Sequence, residues 1–529
     1  MDSSGSLLML AILHGDYTEV VRLLDNGADL SYIDSTGYSP LHRAVEKGDL
    51  KIVELLLKRN ANVNVDVNAH VDELNQLVHE PLHMAAECGH LDVLILLIAY
   101  GASLESKCPN GSLPIHLAAQ EGHLHIVKYF VENKLYHVDI HTNNVRTPLM
   151  CATFGGHTEI VKFLIQCNAD VKETDVFDST ALHYACQENH EDILEILIRK
   201  GSNLDAKMYN GDTPLHICVR KGHLSAARRL IESGARSFLE GGVSGNSPVH
   251  LAAQYNRKEM LEYFFKIGIS VDFQTVDGYS LLHVAARFGQ SQIVTFLLQN
   301  GANIEGKIIS RGITALHLAS SSNRVDVIKV LLNKGADVMA IDKKGQKPLD
   351  VVYEHFNADP NEIRRYDMKC STQLLVKHML LFYKDIEVST PSNFPSGTSI
   401  DEFKQKCLEE IEQLKTCKIE NTTVSLYTFL QALRNKSKLL NFLRNHQLRE
   451  EVKNIKQYID KYAIYSSLLP MILDEVQNGI KRLLLLEKAA TAMEIIVPSL
   501  ILECKINILQ LLNNEDLSRL IESVKVEFY

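Results

Sequence analysis

Short apolar stretches, each closed by a glycine, recur along the first two thirds of the chain. One copy states the pattern in full: Gly211-Asp212-Thr213-Pro214-Leu215-His216-Ile217, then Lys221-Gly222-His223-Leu224, then Ser233-Gly234-Ala235. Thr213 suits a helix N-cap, Pro214 suits the first helical position, where its missing N–H costs nothing, and Leu215 begins the buried face. Gly222 ends that helix in a left-handed conformation, and a second helix runs back from Leu224 to Ser233 until Gly234 ends it. With the histidine as marker, equivalent positions fall at His42, His83, His116, Met150, His183, His216, His250, His283, His317 and Asp350, and every interval but the first is 33 or 34 residues. A fixed period of that length marks a stacked array. Helices this short do not stand alone in water, so each pair must bury its apolar stripe against its neighbours.

The Thr-Pro-Leu-His phrase, with Gly-His and Gly-Ala at these offsets, resembles the ankyrin repeat. About eleven copies cover roughly residues 5 to 358. The first, Leu7 to Asp29, carries Met9 in the histidine slot, and its apolar run Leu7 to Leu13 is read as a repeat helix rather than a signal peptide, since no basic residue precedes it. The long first interval places about eight extra residues within Asn62 to Glu80, a surface loop or a contact loop on one face of the array. Where proline is missing, Thr180, Ser280 and Thr314 keep the capping hydroxyl, while Met150 lacks the polar contact a histidine would make. The turn-rich Asn357-Ala358-Asp359-Pro360-Asn361 reads as the end of the array.

Beyond about Arg364 the period stops and plain amphipathic helices take over. They are expected at Tyr366 to Tyr383, Ile400 to Cys417, Ser425 to Arg434, Leu439 to Tyr462, Ile464 to Ala492 and Leu500 to Leu512, with Ser389 to Ser399 as a loop. Arg434, Lys436, Lys438, Arg444 and Lys453 are interleaved with glutamates and leucines, which reads as a solvated helix face. The fold class is therefore all-α, an ankyrin-repeat solenoid followed by a C-terminal helical domain. The divisions are 1–358 for the array, 359–399 for a helix and loop connector, and 400–529 for the helical domain.

Composition narrows the chemistry. With 529 residues, 46% hydrophobic and 23% charged, the chain is a folded protein of more than one unit. A net charge of −10 argues against general nucleic-acid binding, and no apolar stretch reaches the length of a membrane span. Ten cysteines without a Cys-x-x-Cys pair fit reduced thiols, hence cytoplasm or nucleus. Of the 22 histidines, eight occupy the Thr-Pro-Leu-His slot and five (His90, His123, His157, His190, His223) the Gly-His slot, which makes them structural rather than metal ligands or bases. His79/His83 and His137/His141 have i,i+4 spacing but no third ligand at a suggestive distance in sequence. Nucleophile elbow, phosphate loop and metalloprotease motifs are absent, so no enzyme, metal or cofactor is expected.

The segment from about Cys370 onward resembles the PRANC domain, which follows ankyrin arrays in poxvirus and parasitoid-wasp proteins. The matching stretches are Phe403-x-x-x-Cys407-x-x-Glu410-Ile411-x-x-Leu414-Lys415, Ser425-Leu426-Tyr427-x-Phe429-Leu430 and Glu503-Cys504-x-x-x-Ile508-Leu509-x-x-Leu512-x-x-x-Asp516-Leu517. The last, within about 497–522, resembles a shortened F-box. The resemblance implies that Glu503, Ile508, Leu509, Leu512, Asp516, Leu517 and Leu520 bind a Skp-type adaptor of a cullin ubiquitin ligase while the repeats hold a target protein. The family places Leu-Pro two residues before Glu-Cys, whereas this chain has Leu500-Ile501 there and its nearest proline at Pro498. The alternative is a scaffold or decoy inhibitor of an immune signalling or transcription factor that recruits no ligase. Target contacts are expected at loop tips between repeats, at Tyr38, Asn110, Asn144, Arg146, Phe177, Tyr209, Asn210, Asp277, Tyr279 and Arg311.

Overall fold

The computed structural model describes residues 3–34, 36–64, 80–108, 110–237, 245–356, 362–383, 400–420, 422–433, 436–453, 455–462 and 464–496, with 514, 517, 518 and 521 beyond them. The insertion at 65–79 and the loop at 389–399 lie outside these residues. The chain divides into two compact units, Met1–Phe264 and Phe265–Tyr529.

Unit one is a run of antiparallel helix pairs, such as Pro114–Glu121 with Leu124–Glu132 and Pro214–Lys221 with Leu224–Glu232. In the latter copy Leu215, Cys218 and Val219 face the core from the first helix, and Ala226, Ala227 and Leu230 from the second. First helices pack on first helices of the adjacent copies, and second helices do likewise. Burial is thus a property of the stack.

The eight marker histidines are buried, and six of the rings, those of His42, His116, His183, His216, His283 and His317, close a capping box. The imidazole Nδ1 accepts the backbone N–H of the cap residue, at 3.2 Å from Thr213 to His216 and 3.0 Å from Thr180 to His183. The cap hydroxyl lies 2.8 Å from the same nitrogen in His216. Imidazole here does what Glu or Gln does in the usual box. With Nδ1 accepting, Nε2 carries the proton, and in His116 it donates to the Ile140 carbonyl at 2.9 Å, in the finger leading to the next copy. Copy five keeps only the hydroxyl half of this arrangement: Met150 N donates to Thr147 Oγ1 at 3.3 Å.

The second histidine set links copies. His123 Nε2 donates to Glu87 O and His157 Nε2 to Gln120 O, both at 2.7 Å, so each ring satisfies a carbonyl at the end of the previous copy's first helix. In a later copy Arg257 does this work, donating to Arg220 O at 2.9 Å. The imidazole lies close against the glycine that ends the previous copy's first helix. At Gly122 φ is +91° and an added Cβ would sit 2.5 Å from His157 Cε1. Gly122→Ala combines a left-handed alanine with a displaced staple, and is expected to lower stability by about 2 kcal/mol or more in urea unfolding. An alanine variant as stable as the parent would refute the staple.

Unit two opens with two regular copies, Leu281–Phe288 with Ser291–Gln299 and Ala315–Ser321 with Val325–Asn333. The first helix of the eleventh copy, Pro348–Phe356, follows, and the long helix Glu362–Phe382 then packs on both Pro348–Phe356 and Val325–Asn333. That is the place of a repeat's second helix, so the stack runs on past the turn-rich stretch at 357–361. The same helix packs against Ile400–Thr416 and Leu426–Ala432, and Gln431 Nε2 donates to Leu381 O at 2.7 Å. Array and helical domain thus share one helix. Further ties are Lys334 Nζ to Asp474 at 2.7 Å and Ser371 Oγ to Asn323 at 2.5 Å.

The expected helix Leu439 to Tyr462 is three pieces, Lys436–Arg444, His446–Lys453 and Lys456–Ile459. Asn445 breaks the first junction by accepting the N–H groups of Gln447 and Leu448 at 3.0 and 3.1 Å, as an N-cap does. The expected helix from Ile464 starts at Leu469, after a single 3-10 turn over Tyr465–Leu468, with Pro470 at its second position. The Glu410 carboxylate holds that turn, accepting Ile464 N at 3.1 Å and Tyr465 N at 3.3 Å.

Candidate functional site

Between one copy's second helix and the next copy's first helix the chain folds out as a finger. In the finger at 173–180 the carboxylate of Asp175 is buried and accepts Phe177 N and Ser179 N, both at 2.8 Å, and the hydroxyl of Tyr184 at 2.6 Å. Burial and this carboxylate together push the Tyr184 phenol well above its ordinary pKa. In the next finger Asp212 is likewise buried and bound by Arg220. These two fingers are therefore built from the inside by a carboxylate, while a threonine hydroxyl does the same work at Thr142 and Thr275, accepting Arg146 N at 3.0 Å and Tyr279 N at 3.1 Å.

Adjacent fingers are joined through their backbones: Val176 N donates to Asn144 O at 3.1 Å and Tyr209 N to Phe177 O at 2.9 Å. The tips form a ladder fixed in register before any partner arrives, which reduces the ordering cost of binding. On unit one Phe177 is 54% exposed and Tyr209 79% exposed, flanked by exposed Asn144, Val145 and Val176.

The ten residues expected at the tips separate into two groups. Asn144, Phe177, Tyr209, Asp277 and Arg311 are exposed and present side chain to solvent. The others hold the fingers together, Asn110 and Asn210 while themselves exposed. Tyr38 is half-buried beneath the Arg43 guanidinium, 4.5 Å from its ring centroid, and Arg146 lies 5.0 Å over Tyr184. Asn110 accepts Ser112 N at 2.9 Å, and Asn210 accepts Asp212 N at 3.0 Å. Tyr279 is half-buried, with its N–H on Thr275 Oγ1 at 3.1 Å. Sequence reasoning missed Val276, Ile309 and Ile341, which are 103%, 69% and 54% exposed. Their signal was a β-branched residue in a turn or just before one.

Of the residues assigned to the ligase-binding end, Glu503, Ile508, Leu509, Leu512, Asp516 and Leu520 lie outside the described residues. Leu517 is described and is 0% exposed, packed with Leu486 and Ala489 of the helix Leu469–Ile496, and with Leu440 and Ile521. Its side chain holds the chain end to that helix, so in this arrangement it is core rather than docking surface.

A family profile for ankyrin repeats matches residues 2–68, 82–175, 167–239 and 235–308, and a single-repeat profile matches 311–343. Together they span more than half of the sequence. The chain is an ankyrin-repeat protein. Similar proteins include human palmitoyltransferase ZDHHC13, 31% identical over 39% of this chain and 33% of that protein. Human ankyrin repeat and SOCS box protein 16 is 25% identical over 50% of this chain and 61% of its own length. The ankyrin repeat protein FPV024 of fowlpox virus is 26% identical over 53% and 45% respectively. The alignments thus span less than two thirds of these relatives. Likeness to the palmitoyltransferase runs only through its ankyrin repeats. Ankyrin repeats imply a protein-interaction role, and the fold is typically a non-catalytic binding scaffold. Among the described residues no helix is long and apolar enough to cross a membrane, and no cluster of His, Cys, Asp and Glu has the makings of a metal site.

Proposed function

We propose that this ankyrin-repeat protein is a recruiting adaptor: its finger tips hold a target protein and its C-terminal end engages a Skp-type adaptor of a cullin ubiquitin ligase. The observation that carries target binding is the backbone-joined ladder of exposed tips, with Phe177 and Tyr209 as aromatic anchors of the kind that dominate interface energetics. Ligase recruitment is supported by the F-box-like stretch Glu503 to Leu517, by the array-plus-helical-domain layout, and by likeness to a fowlpox virus ankyrin protein and to one named for a SOCS box. The chemistry belongs to the recruited enzyme. The adaptor supplies effective concentration by holding two partners at once.

The full chain, purified, is expected to co-elute with a purified Skp-type adaptor in size-exclusion chromatography. Charged substitutions Leu509→Asp and Leu512→Asp together should abolish that co-elution while leaving the helical circular dichroism unchanged. Co-elution that survives both substitutions places the contact elsewhere. A second reading, a scaffold or decoy inhibitor without ligase recruitment, is favoured by the burial of Leu517 and by the displaced Pro498. Under that reading the intact chain does not co-elute.

A further inference from the structure

The last three fingers of the array carry an unlike pairing of charge and apolarity for a chain of net charge −10. Val276 and Ile309 stand in the turns of their fingers and Ile341 just before the turn of the last, all three exposed. Beside the latter two, the stretches 307–314 and 340–347 hold five basic residues, Lys307, Arg311, Lys343, Lys344 and Lys347, against one carboxylate, Asp342. That carboxylate is engaged locally, accepting Lys344 N and Gln346 N at 2.8 Å. The finger at 173–178, by contrast, has three carboxylates and no basic residue.

Two of the basic side chains are also held in place. Lys343 Nζ donates to Ile309 O at 2.7 Å and Lys307 Nζ to Ile341 O at 3.0 Å, a reciprocal clasp between adjacent fingers, alongside Lys343 N to Arg311 O at 3.0 Å. The acceptors in all three are backbone carbonyls, not carboxylates. Lys307, Arg311, Lys343 and Lys344 are exposed. The result is a short ridge in which exposed aliphatic side chains stand beside cations, two of them, Lys307 and Lys343, held by the clasp.

We infer that this ridge binds an acidic, aliphatic-rich extended segment of a protein partner, one whose carboxylates and apolar side chains alternate. The inference rests on the reading of the finger tips as the target-binding surface and names the chemistry of what the last three fingers take. The cations set the sign of the partner and steer its approach, while the exposed aliphatic side chains need apolar side chains to cover them. Aliphatic tips offer no stacking platform for bases, which argues for a protein segment over a nucleic acid.

The test uses the full chain and a fluorescein-labelled synthetic peptide alternating Asp or Glu with Val or Leu, read by anisotropy at low salt. A control peptide carries Gln and Asn in place of the acids. Arg311→Glu with Lys344→Glu is the charge variant, chosen because the hydrogen bonds above use only the backbones of these two residues; Ile309→Ser with Ile341→Ser is the apolar variant. Each pair, and the neutral peptide, should weaken binding by roughly tenfold or more, with melting temperatures kept near the parent value. Equal affinity for both peptides, indifference to either variant, absence of binding, or tighter binding of single-stranded DNA or phosphatidylserine vesicles would each overturn it. Failure here leaves the finger-tip reading standing if Phe177→Ser with Tyr209→Ser still strips a cellular target from the chain. If that pair also changes nothing, the broader reading fails as well.

Discussion

Lowering the pH from 7 to 5 is expected to destabilise the array by several kcal/mol, with most of the loss arising before any ordinary carboxylate titrates. Burial of the imidazoles pushes His116, His183 and His283 down to about 4, from an ordinary value of 6.5. His317 is lowered as well, again chiefly by burial. Between 6.5 and 4 an unfolded histidine binds a proton that the folded one excludes, so protonation pulls toward the unfolded state. Stability is full above 6.5 and falls as pH drops through that window. At pH 5 each of His116, His183 and His283 contributes a loss on the order of 2 kcal/mol. The structural reason is specific: a protonated Nδ1 can no longer accept the cap residue's N–H, and the helix start loses its box. Urea unfolding at the two pH values reads the effect directly. A flat profile between 7 and 5 would mean the rings are solvated or already charged.

The second large effect concerns the unit-one tips. Phe177→Ser together with Tyr209→Ser removes two rigid aromatic side chains whose backbones, not rings, join the fingers. Capture of the cellular target should fall on the order of a hundredfold, as expected when hot-spot aromatics are truncated. The melting profile should barely move, because both rings are exposed. Retained capture would place the target on another surface.

The array was legible because its signal is repeated: one copy with Thr213, Pro214, His216, Gly222 and Gly234 teaches the reading of the others. The histidine roles were legible for the same reason, since a residue that recurs at a cap or at a glycine is doing local work. What escaped was non-periodic. The helix Glu362–Phe382 takes a repeat's place without a repeat's turn, so nothing in its sequence announced that it stacks. The Asn445 cap is a single side chain inside an otherwise helical pattern, which propensity reads straight through. Leu517 looked like part of an exposed apolar surface because its partners, Leu486 and Ala489, lie about thirty residues upstream on another helix. At the tips, the reading favoured aromatic and polar residues. Val276, Ile309 and Ile341 were passed over because β-branched residues ordinarily mark strands or cores.

The measurement that bears most directly on the adaptor account is quantitative affinity capture from one lysate with three full-length chains. These are the parent, the Phe177→Ser/Tyr209→Ser variant and the Leu509→Asp/Leu512→Asp variant. The account predicts that the parent brings down both a target and a Skp-type adaptor with its cullin, that the tip variant loses only the target, and that the terminal variant loses only the ligase. Loss of both partners with either variant alone, or a parent that captures a target and no ligase, would contradict it.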